Sequence, residues 1–480
     1  LRKNNSNCKN CPGSWAVFLR KYSLLAIQKI VIMSYFNKDI ETLPLDKLRK
    51  LQNERLQQQL KNVYAKVPFY KQLFDEKGLT PADIKGVEDL YKLPFTKKSA
   101  LRDNYPFGLF TVPVSETARL HCSSGTTGKP IVVGYTKQDL EIFSEVIARS
   151  LTAAGCKPGM KLQNAYGYGL FTGGLGLHYG AEKLGMTVIP ISGGGTEKQI
   201  MLLQDFQSEA ICCTPSYALT IAETIERKGI DLKSMNLKYA ILGAEPWTES
   251  VRMEVEAKLG VTATNIYGLS EIIGPGVSQE DFEEKGTGSY IWEDHFYPEI
   301  VDKDTGEPLP EGENGVLVFT TLTKEAMPMI RYWTNDITSL YYDKSSKRTH
   351  VKMGQILGRS DDMLIIRGVN LFHTQVESVL ENFGEFSANY QLIVRRSGTM
   401  DEVEVNIEIN HELFEGLKRE TSQSDEEVLQ HDKIQYAHKG LGKKIKDDIG
   451  LSMKIHLACP GTIPRSEGGK LNRILDLREK

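Results

Sequence analysis

A run of hydroxyl-bearing and glycine residues ends in a lysine at residues 123–129 and reads SSGTTGK. Glycines let backbone N–H groups converge, and such groups together with hydroxyls can bind the oxygens of a polyphosphate. The run is not a Walker A motif, because its two glycines are too close together and Pro130 follows the lysine. An isolated cluster of this kind is also typical of an ordinary turn. The predicted phosphate-binding loop consists of Ser123, Ser124, Gly125, Thr126, Thr127, Gly128 and Lys129.

A second motif, Tyr267-Gly268-Leu269-Ser270-Glu271, follows a segment typical of a β-strand. The tyrosine ring can stack on a flat heterocycle, and the Ser270 hydroxyl can bind a phosphate oxygen. The Glu271 carboxylate can hold Mg²⁺, which takes one or two carboxylates together with phosphate oxygens. The alternative is a strand followed by a helix, with Ser270 as its cap and Glu271 as the acid of its first turn.

Two further motifs lie towards the end of the chain. Residues 331–336 read RYWTND, in which Asp336 could accept hydrogen bonds from two ribose hydroxyls; the alternative is a surface turn. Residues 465–473 read RSEGGKLNR, in which Lys470 follows two glycines; the alternative is an exposed, solvated lysine. Each of the four motifs is a weak signal alone, so their meaning depends on the elements that position them.

Four segments rich in β-branched and apolar residues are separated by helix-like stretches, and they span residues 186–191, 210–214, 238–242 and 262–266. This alternation predicts a parallel sheet wound with helices. In such a sheet ligands bind beyond the carboxyl ends of the strands. The sequence places the loop Gly243-Ala244-Glu245-Pro246 and the segment that begins at Tyr267 at that edge.

The pattern changes around Gly358, where the polar stretch 358–362 is followed by short strands and helices. We therefore predict a large domain over residues 33–357 and a small α+β domain over residues 358–480. Residues 1–32 contain a basic start, scattered cysteines and a short apolar stretch unlike the remainder. We expect them to be a non-native or disordered extension, with the globular pattern opening at Met33.

The composition of the 480 residues argues against several function classes. Lysine and arginine total 59 against 62 acidic residues, a net charge of −3, which disfavours a nucleic-acid-binding protein. The apolar stretch near the N-terminus is far shorter than the ~20 residues that span a bilayer, so no membrane association is expected. Cys8 and Cys11 have the spacing of a redox or zinc pair, but no second such pair accompanies them. The other five cysteines are odd in number and scattered, which favours a reducing, cytoplasmic environment.

Together and in this order, the four motifs resemble the adenylate-forming superfamily of acyl-CoA synthetases, peptide adenylation domains and luciferases. A narrower resemblance is to the phenylacetate-CoA ligase family, in which the phosphate loop ends in lysine then proline, as Lys129-Pro130 does here. The segments that carry this resemblance are residues 121–135, 166–176, 243–247, 292–299 and 364–370. The resemblance implies an α/β fold in which a large N-terminal adenylate-forming domain with wound β-sheets precedes a small mobile α+β C-terminal domain.

The resemblance also implies roles for individual residues. Lys470 is the catalytic lysine that bridges ATP and the substrate carboxylate, Arg359 reaches the nucleotide, and Glu271 holds Mg²⁺. Ser270 joins the phosphate-binding loop, and Asp361 is the hinge about which the small domain rotates. The adenine- and ribose-binding residues are Gly243, Ala244, Glu245, Pro246, Tyr267, Gly268 and Asp336. The acid pocket is lined by Tyr166, Phe171, Ala244, Ile266 and Pro275, for which packing in the sheet core is the alternative.

The activity that follows from the resemblance is AMP-forming ligation of phenylacetate to CoA, with ATP, Mg²⁺ and coenzyme A. The residues leave open whether the acid is phenylacetate, a hydroxyphenylacetate or indoleacetate. Relatives also imply a homodimer. Two alternatives remain at this point: an enzyme that loads an aryl acid onto an acyl carrier protein, and a non-catalytic nucleotide-binding regulator. The joint presence of Lys470, Glu271 and Asp336 disfavours the regulator.

Overall fold

The computed structural model describes residues 35–123, 130–360, 364–366, 369–397, 400–421, 424–465 and 473–478. The chain divides into two units, residues 1–34 and residues 35–480. The first unit, with the predicted extension 1–32, lies outside the described residues.

The large part of the second unit alternates helices and strands. Its helices are α1 (Lys38–Glu41), α2 (Leu45–Lys66), α3 (Pro68–Glu76), α4 (Lys98–Asp103), α5 (Lys137–Ala153), α6 (Thr172–Leu184), α7 (Thr196–Phe206), α8 (Pro215–Arg227) and α9 (Glu249–Leu259). Its strands are β1 (Arg119–Ser123), β2 (Ile131–Tyr135), β3 (Lys161–Asn164), β4 (Thr187–Ile189), β5 (Ala210–Cys213), β6 (Tyr239–Gly243), β7 (Thr262–Leu269), β8 (Gly274–Glu280), β9 (Ser289–Ile291), β10 (Phe296–Val301), β11 (Gly315–Thr321), β12 (Tyr332–Thr338), β13 (Leu340–Tyr341), β14 (Lys352–Met353) and β15 (Gly358–Arg359).

The principal sheet has the strand order β13-β14-β9-β8-β7-β6-β5-β3-β4, and its half from β4 to β7 is parallel. The four strands expected from the sequence are present, and the parallel arrangement is confirmed. Strand β3, which reads KLQN, was not expected, and it lies between β4 and β5. Its polar sequence lacks the β-branched run that marks a strand, although its residues 162–164 are buried.

A second sheet, of order β10-β11-β12-β15, packs beside the first, and β1 and β2 form a separate hairpin. Strand β15 pairs with β12, so that Gly358 and Arg359 belong to a sheet of the large part. The apolar residues of helix α2 recur at four- and three-residue spacing, which is typical of a helix with one buried face, and Leu56, Leu60 and Val63 on that face are fully buried. Pro68 ends this pattern and also begins α3, where its missing N–H costs no hydrogen bond.

The remaining part has its own hydrophobic core. Its strands are β16 (Leu364–Ile366), β17 (Val369–Leu371), β18 (Phe386–Ser397), β19 (Met400–Ile409), β20 (Lys454–Ala458) and β21 (Ile474–Asp476), and its helices are α10 (His373–Leu380), α11 (His411–Thr421), α12 (Asp425–Leu429) and α13 (Asp432–Ile449). The four-stranded sheet has the order β20-β19-β18-β21. A small α+β arrangement is confirmed. No helix in the described ranges is long and apolar enough to cross a membrane.

Candidate functional site

The loops that follow β5 and β6 meet at the carboxyl edge of the parallel strands. Thr214 caps α8 by accepting a hydrogen bond from Tyr217 N. Glu245, in the loop after β6, accepts a hydrogen bond from Ser216 N at 2.7 Å through its Oε1. A carboxylate at a helix N-terminus is favourably placed, because the first N–H groups lack helical partners. The predicted adenine-binding segment is thus fixed to the start of α8.

The backbone of this segment has unusual geometry. A Cβ atom on Gly243 would lie 2.0 Å from the carbonyl oxygen of Ile266, so the two strands approach closely enough to require glycine. Ala244 follows with φ of 73°, a left-handed conformation that costs a non-glycine residue about 1–3 kcal/mol. Ala244 is also exposed. Such local strain concentrates at functional sites, which agrees with the predicted role of this segment.

Asp336 lies on β12, and its side chain is held from two directions. The Tyr267 hydroxyl donates to Asp336 Oδ2 at 2.5 Å, and Arg359 Nη1 donates to Oδ1 at 3.3 Å. Arg359 stands opposite Asp336 because β15 pairs with β12 in that register. Burial, followed by the charge of Asp336, raises the pKa of Tyr267 well above its usual value, so its hydroxyl remains a neutral donor. Three residues predicted to bind the nucleotide therefore form one cluster.

Glu271 is 5% exposed and contacts two groups that the sequence did not suggest. The Tyr332 hydroxyl is hydrogen-bonded to the Glu271 side chain, and burial and this carboxylate raise the pKa of Tyr332 well above its usual value. Lys324 Nζ donates to the Glu271 carbonyl oxygen at 3.0 Å and lies 4.9 Å from the centre of the Tyr135 ring. Burial lowers the pKa of Lys324 to about 8, against the opposing charges of Asp139 and Glu271.

The Glu271 carboxylate is chemically suited to Mg²⁺. Within the described ranges, no group of three or more histidine, cysteine, aspartate or glutamate side chains could hold a metal by itself. Mg²⁺ does not require such a group, because one carboxylate oxygen together with phosphate oxygens and water completes its shell. A single oxygen donor of this kind fits an ion that arrives with a nucleotide.

The residues predicted to line the acid pocket lie next to the nucleotide cluster. The buried Tyr166 hydroxyl donates to the carbonyl oxygen of Cys213 at 2.6 Å. Ile266 stands opposite Gly243 on the neighbouring strand, and Pro275 stands opposite Gly268. Phe171 immediately precedes α6 and is 49% exposed, so its ring lies at the surface of the molecule.

Ser270 links helix α6, which follows the predicted pocket residue Phe171, to the turn that carries the Glu271 carboxylate. Its Oγ lies 3.2 Å from Thr172 Oγ1, in the first turn of α6. The Tyr135 hydroxyl donates to the carbonyl oxygens of Ser270 at 3.3 Å and Ile273 at 2.9 Å. The turn that carries Glu271 is therefore anchored both to α6 and to the hairpin β1–β2.

Several predicted residues fall elsewhere. Ser123, the first residue of the predicted phosphate loop, is the last residue of β1. Residues 124–129, Asp361 and Lys470 lie outside the described residues. Sequence reasoning missed Lys324, Tyr332 and Thr172. Tyr332 lies within the motif of residues 331–336, whereas nothing in the local sequence distinguishes Lys324 from a surface lysine.

Comparisons with known families match most of the chain. The AMP-binding enzyme family matches residues 39–325, and the family described as AMP-binding enzyme C-terminal domain matches residues 368–478. Phenylacetate-coenzyme A ligase of Thermus thermophilus is 60% identical over 445 residues, which are 92% of this chain and 100% of that protein.

Two crystal structures of 2-hydroxyisobutyryl-CoA ligase are also similar. In the postadenylation state, in complex with R3-HIB-AMP, that enzyme is 25% identical, with a TM-score of 0.83 over 92% of each chain. In the thioesterification state, in complex with 2-HIB-AMP and CoA, it is 26% identical, with a TM-score of 0.67 over 93% of each chain. The present fold is thus more similar to the first state than to the second.

Proposed function

The chain belongs to the phenylacetate-CoA ligase family, and from this premise we propose that phenylacetate is the acid that it activates. It is an AMP-forming ligase that works in two steps. In the first step a carboxylate oxygen attacks the α-phosphorus of ATP, and the bond to pyrophosphate breaks. In the second step the CoA sulfur attacks the acyl carbon of the adenylate, AMP leaves, and a thioester remains.

The observation that best supports this proposal is the cluster of Tyr267, Asp336 and Arg359 beside the apolar positions at the ends of β6 and β7. A buried carboxylate with two fixed donors can accept hydrogen bonds from ribose hydroxyls without moving. We assign ribose binding to Asp336 and contact with the nucleotide to Arg359. The segment 243–246 together with Tyr267 and Gly268 would contact the adenine.

The chemistry of the first step is controlled by charge, because a carboxylate anion must approach a polyphosphate anion. We assign Lys470 the role of bridging the two, and the loop 123–129 with Ser270 the role of holding phosphate oxygens. Glu271 would hold Mg²⁺, which neutralises charge on the phosphates when bound. Tyr332 keeps the Glu271 carboxylate in place through its hydroxyl, and Lys324 fixes the main chain of the same residue.

An aryl ring suits the pocket positions. Tyr166 and Ile266 are buried and Pro275 is half-buried, so they can supply apolar walls. A side chain at Gly173 would begin 3.6 Å from Tyr166 Cβ, so glycine leaves room beside that ring. Burying apolar area stabilises the bound acid by roughly 25 cal/mol per Å², which favours a phenyl group over a short aliphatic acid.

We further infer that the joint between the two domains lies between Ser360 and Leu364, with Asp361 as the hinge. The pairing of β15 with β12 supports this, since it attaches Arg359 to the large domain. This inference places the joint a few residues after the boundary that the sequence predicts between the domains 33–357 and 358–480. The fold is more similar to the postadenylation state than to the thioesterification state of 2-hydroxyisobutyryl-CoA ligase. This supports the inference that the small domain has the orientation used for adenylation.

Two finer assignments belong to the same proposal. We assign the enzyme to the cytoplasm. The cysteines of the described ranges are all free thiols, which is the usual state of cysteine in a reducing compartment. The homodimer implied by the resemblance stays a prediction, which a mass measurement in solution tests.

The proposed activity is tested by ATP–pyrophosphate exchange with phenylacetate, 4-hydroxyphenylacetate, indoleacetate and acetate. We expect phenylacetate to give the highest kcat/KM, and CoA rather than an acyl carrier protein to accept the acyl group. Preference for another acid would overturn the substrate assignment.

The variant Lys470→Ala should abolish exchange and yet form thioester from preformed phenylacetyl-adenylate and CoA. Equal loss of both steps would contradict the role of Lys470.

A further inference from the structure

An arginine of the small domain joins that domain to helix α8 of the large domain. Arg465 Nε donates to Glu223 Oε2 at 2.8 Å, and Nη2 donates to Glu223 Oε1 at 3.3 Å. Arg465 also donates to Glu408 of β19, from Nη1 at 2.8 Å and from Nη2 at 2.7 Å. Its remaining N–H donates to the carbonyl oxygen of Ile463 at 2.9 Å. All five donors of the guanidinium are therefore used.

The two carboxylates differ in how firmly they hold the arginine. The Glu408 side chain is 1% exposed and also accepts a hydrogen bond from Ile463 N, so Arg465 is built into the small domain. The Glu223 side chain is 28% exposed and belongs to the large domain. It accepts a third hydrogen bond from the small domain, from Asn389 Nδ2 at 2.9 Å. Glu223 is thus one of the points at which the two domains are held together here.

Both ends of the segment that carries Lys470 are fixed to the small-domain sheet. Arg465 lies five residues before Lys470 and is bonded to β19. Arg473 lies three residues after it and donates to the carbonyl oxygens of Ala388 at 2.9 Å and Tyr390 at 3.2 Å on β18. A bond from Arg465 to α8 therefore fixes the small-domain sheet relative to the helix whose first turn meets the adenine-binding segment.

We propose that Glu223 and Arg465 form an interdomain clamp that holds the small domain in the orientation for adenylation and opens for thioester formation. The inference rests on the two-step function proposed above. Arg465 is then a positioning residue that acts through Lys470. The reason is energetic: a bidentate pair at a domain boundary stabilises one orientation, and rotation of the small domain separates its two halves.

The main test is Glu223→Ala, which removes the large-domain half and leaves the buried pair of Arg465 and Glu408 intact. We expect kcat/KM for ATP–pyrophosphate exchange to fall about tenfold, while thioester formation from preformed adenylate is unchanged or faster. The matched control is Glu226→Gln on the same helix. Glu226 pairs with Lys258 of the large domain at 3.5 Å, so this change should leave both steps as in the wild type.

A second variant tests the arginine without removing the charge next to Glu408. In Arg465→Lys the ammonium keeps that charge but lacks the planar fork that reaches two carboxylates. We expect the same selective loss of exchange, and no additional loss in the double variant Glu223→Ala/Arg465→Lys, because both changes break one contact. Additive losses, or equal loss of both half-reactions in either variant with an unchanged melting temperature, would overturn the clamp.

Measurements on the wild-type enzyme distinguish a failure of the clamp proposal from a failure of the substrate assignment. If wild-type exchange favours an acid other than phenylacetate, the substrate assignment fails and the same comparison is made with that acid. A selective loss of exchange would then still support the clamp. If phenylacetate is preferred and the Glu223→Ala enzyme matches the wild type in exchange, the clamp fails and the assigned activity stands.

Discussion

The hydrogen bond between Tyr267 and Asp336 offers a direct measure of how the ribose-binding carboxylate is held. Tyr267→Phe removes one oxygen and leaves the ring, which lies 6.4 Å from the Phe319 ring in a stacked arrangement. Asp336 keeps its contact with Arg359 at 3.3 Å, so the carboxylate loses the tyrosine donor and retains the arginine. The substitution therefore separates the hydroxyl from the aromatic face that would contact adenine.

The magnitude follows from the length and burial of the bond. A hydrogen bond to a charged group contributes about 1.5–3 kcal/mol, or a factor of about 10 to 150 in an equilibrium constant. The bond is 2.5 Å long and Asp336 is 6% exposed, so water replaces it poorly. We expect the free energy of unfolding to fall by about 2 kcal/mol and KM for ATP to rise about tenfold, while kcat changes by less than about threefold.

The assay pairs urea unfolding with pyrophosphate exchange at varied ATP. The matched control is Tyr64→Phe, because the Tyr64 hydroxyl donates to Asp75 Oδ1 at 2.8 Å in an exposed position. Water replaces that bond, so the control should lose less than about 0.5 kcal/mol and keep its KM. Equal effects of the two variants on KM for ATP would refute the reasoning, because the burial of Asp336 would then not matter.

Two further predictions concern motion and pH. Asp361→Pro should lower thioester formation far more than pyrophosphate exchange, because a proline at the hinge restricts φ; equal losses measured in the two half-reactions would contradict the hinge. His350 accepts a hydrogen bond from Glu293 N at 3.1 Å, and its Nε2 lies 3.3 Å from the Ile40 carbonyl oxygen. Burial lowers the pKa of His350 to about 4, so the unfolded chain takes up the proton first as pH falls. The free energy of unfolding should therefore drop by up to about 3 kcal/mol between about pH 6.5 and about pH 4, and urea titrations should show a shallower drop in His350→Gln. An unchanged pH dependence in that variant would contradict this assignment.

The parallel strands and the loops at their carboxyl ends could be predicted from the sequence, because apolar β-branched runs and glycine-bearing loops are local patterns. Strand β3 could not, since its burial comes from neighbouring strands rather than from its own residues. The charged composition of the stretch 425–448 is typical of one solvated surface helix, but the stretch forms two helices, α12 and α13. Ile434, Leu441 and Ile445 of α13 are fully buried, because the helix packs its apolar face on the small-domain core.

The sequence by itself determined the residue types that carry the chemistry and the family in which they occur together, since these depend on short motifs and their order. The tertiary structure decided which of them touch. Tyr267 and Asp336 are 69 residues apart, and Glu223 and Arg465 are 242 apart. No local sequence spacing predicts either contact. The packing of strands β7 and β12 creates the first, and the packing of the two domains creates the second. The same reason places Lys324 against the Glu271 turn, where burial rather than sequence sets its pKa.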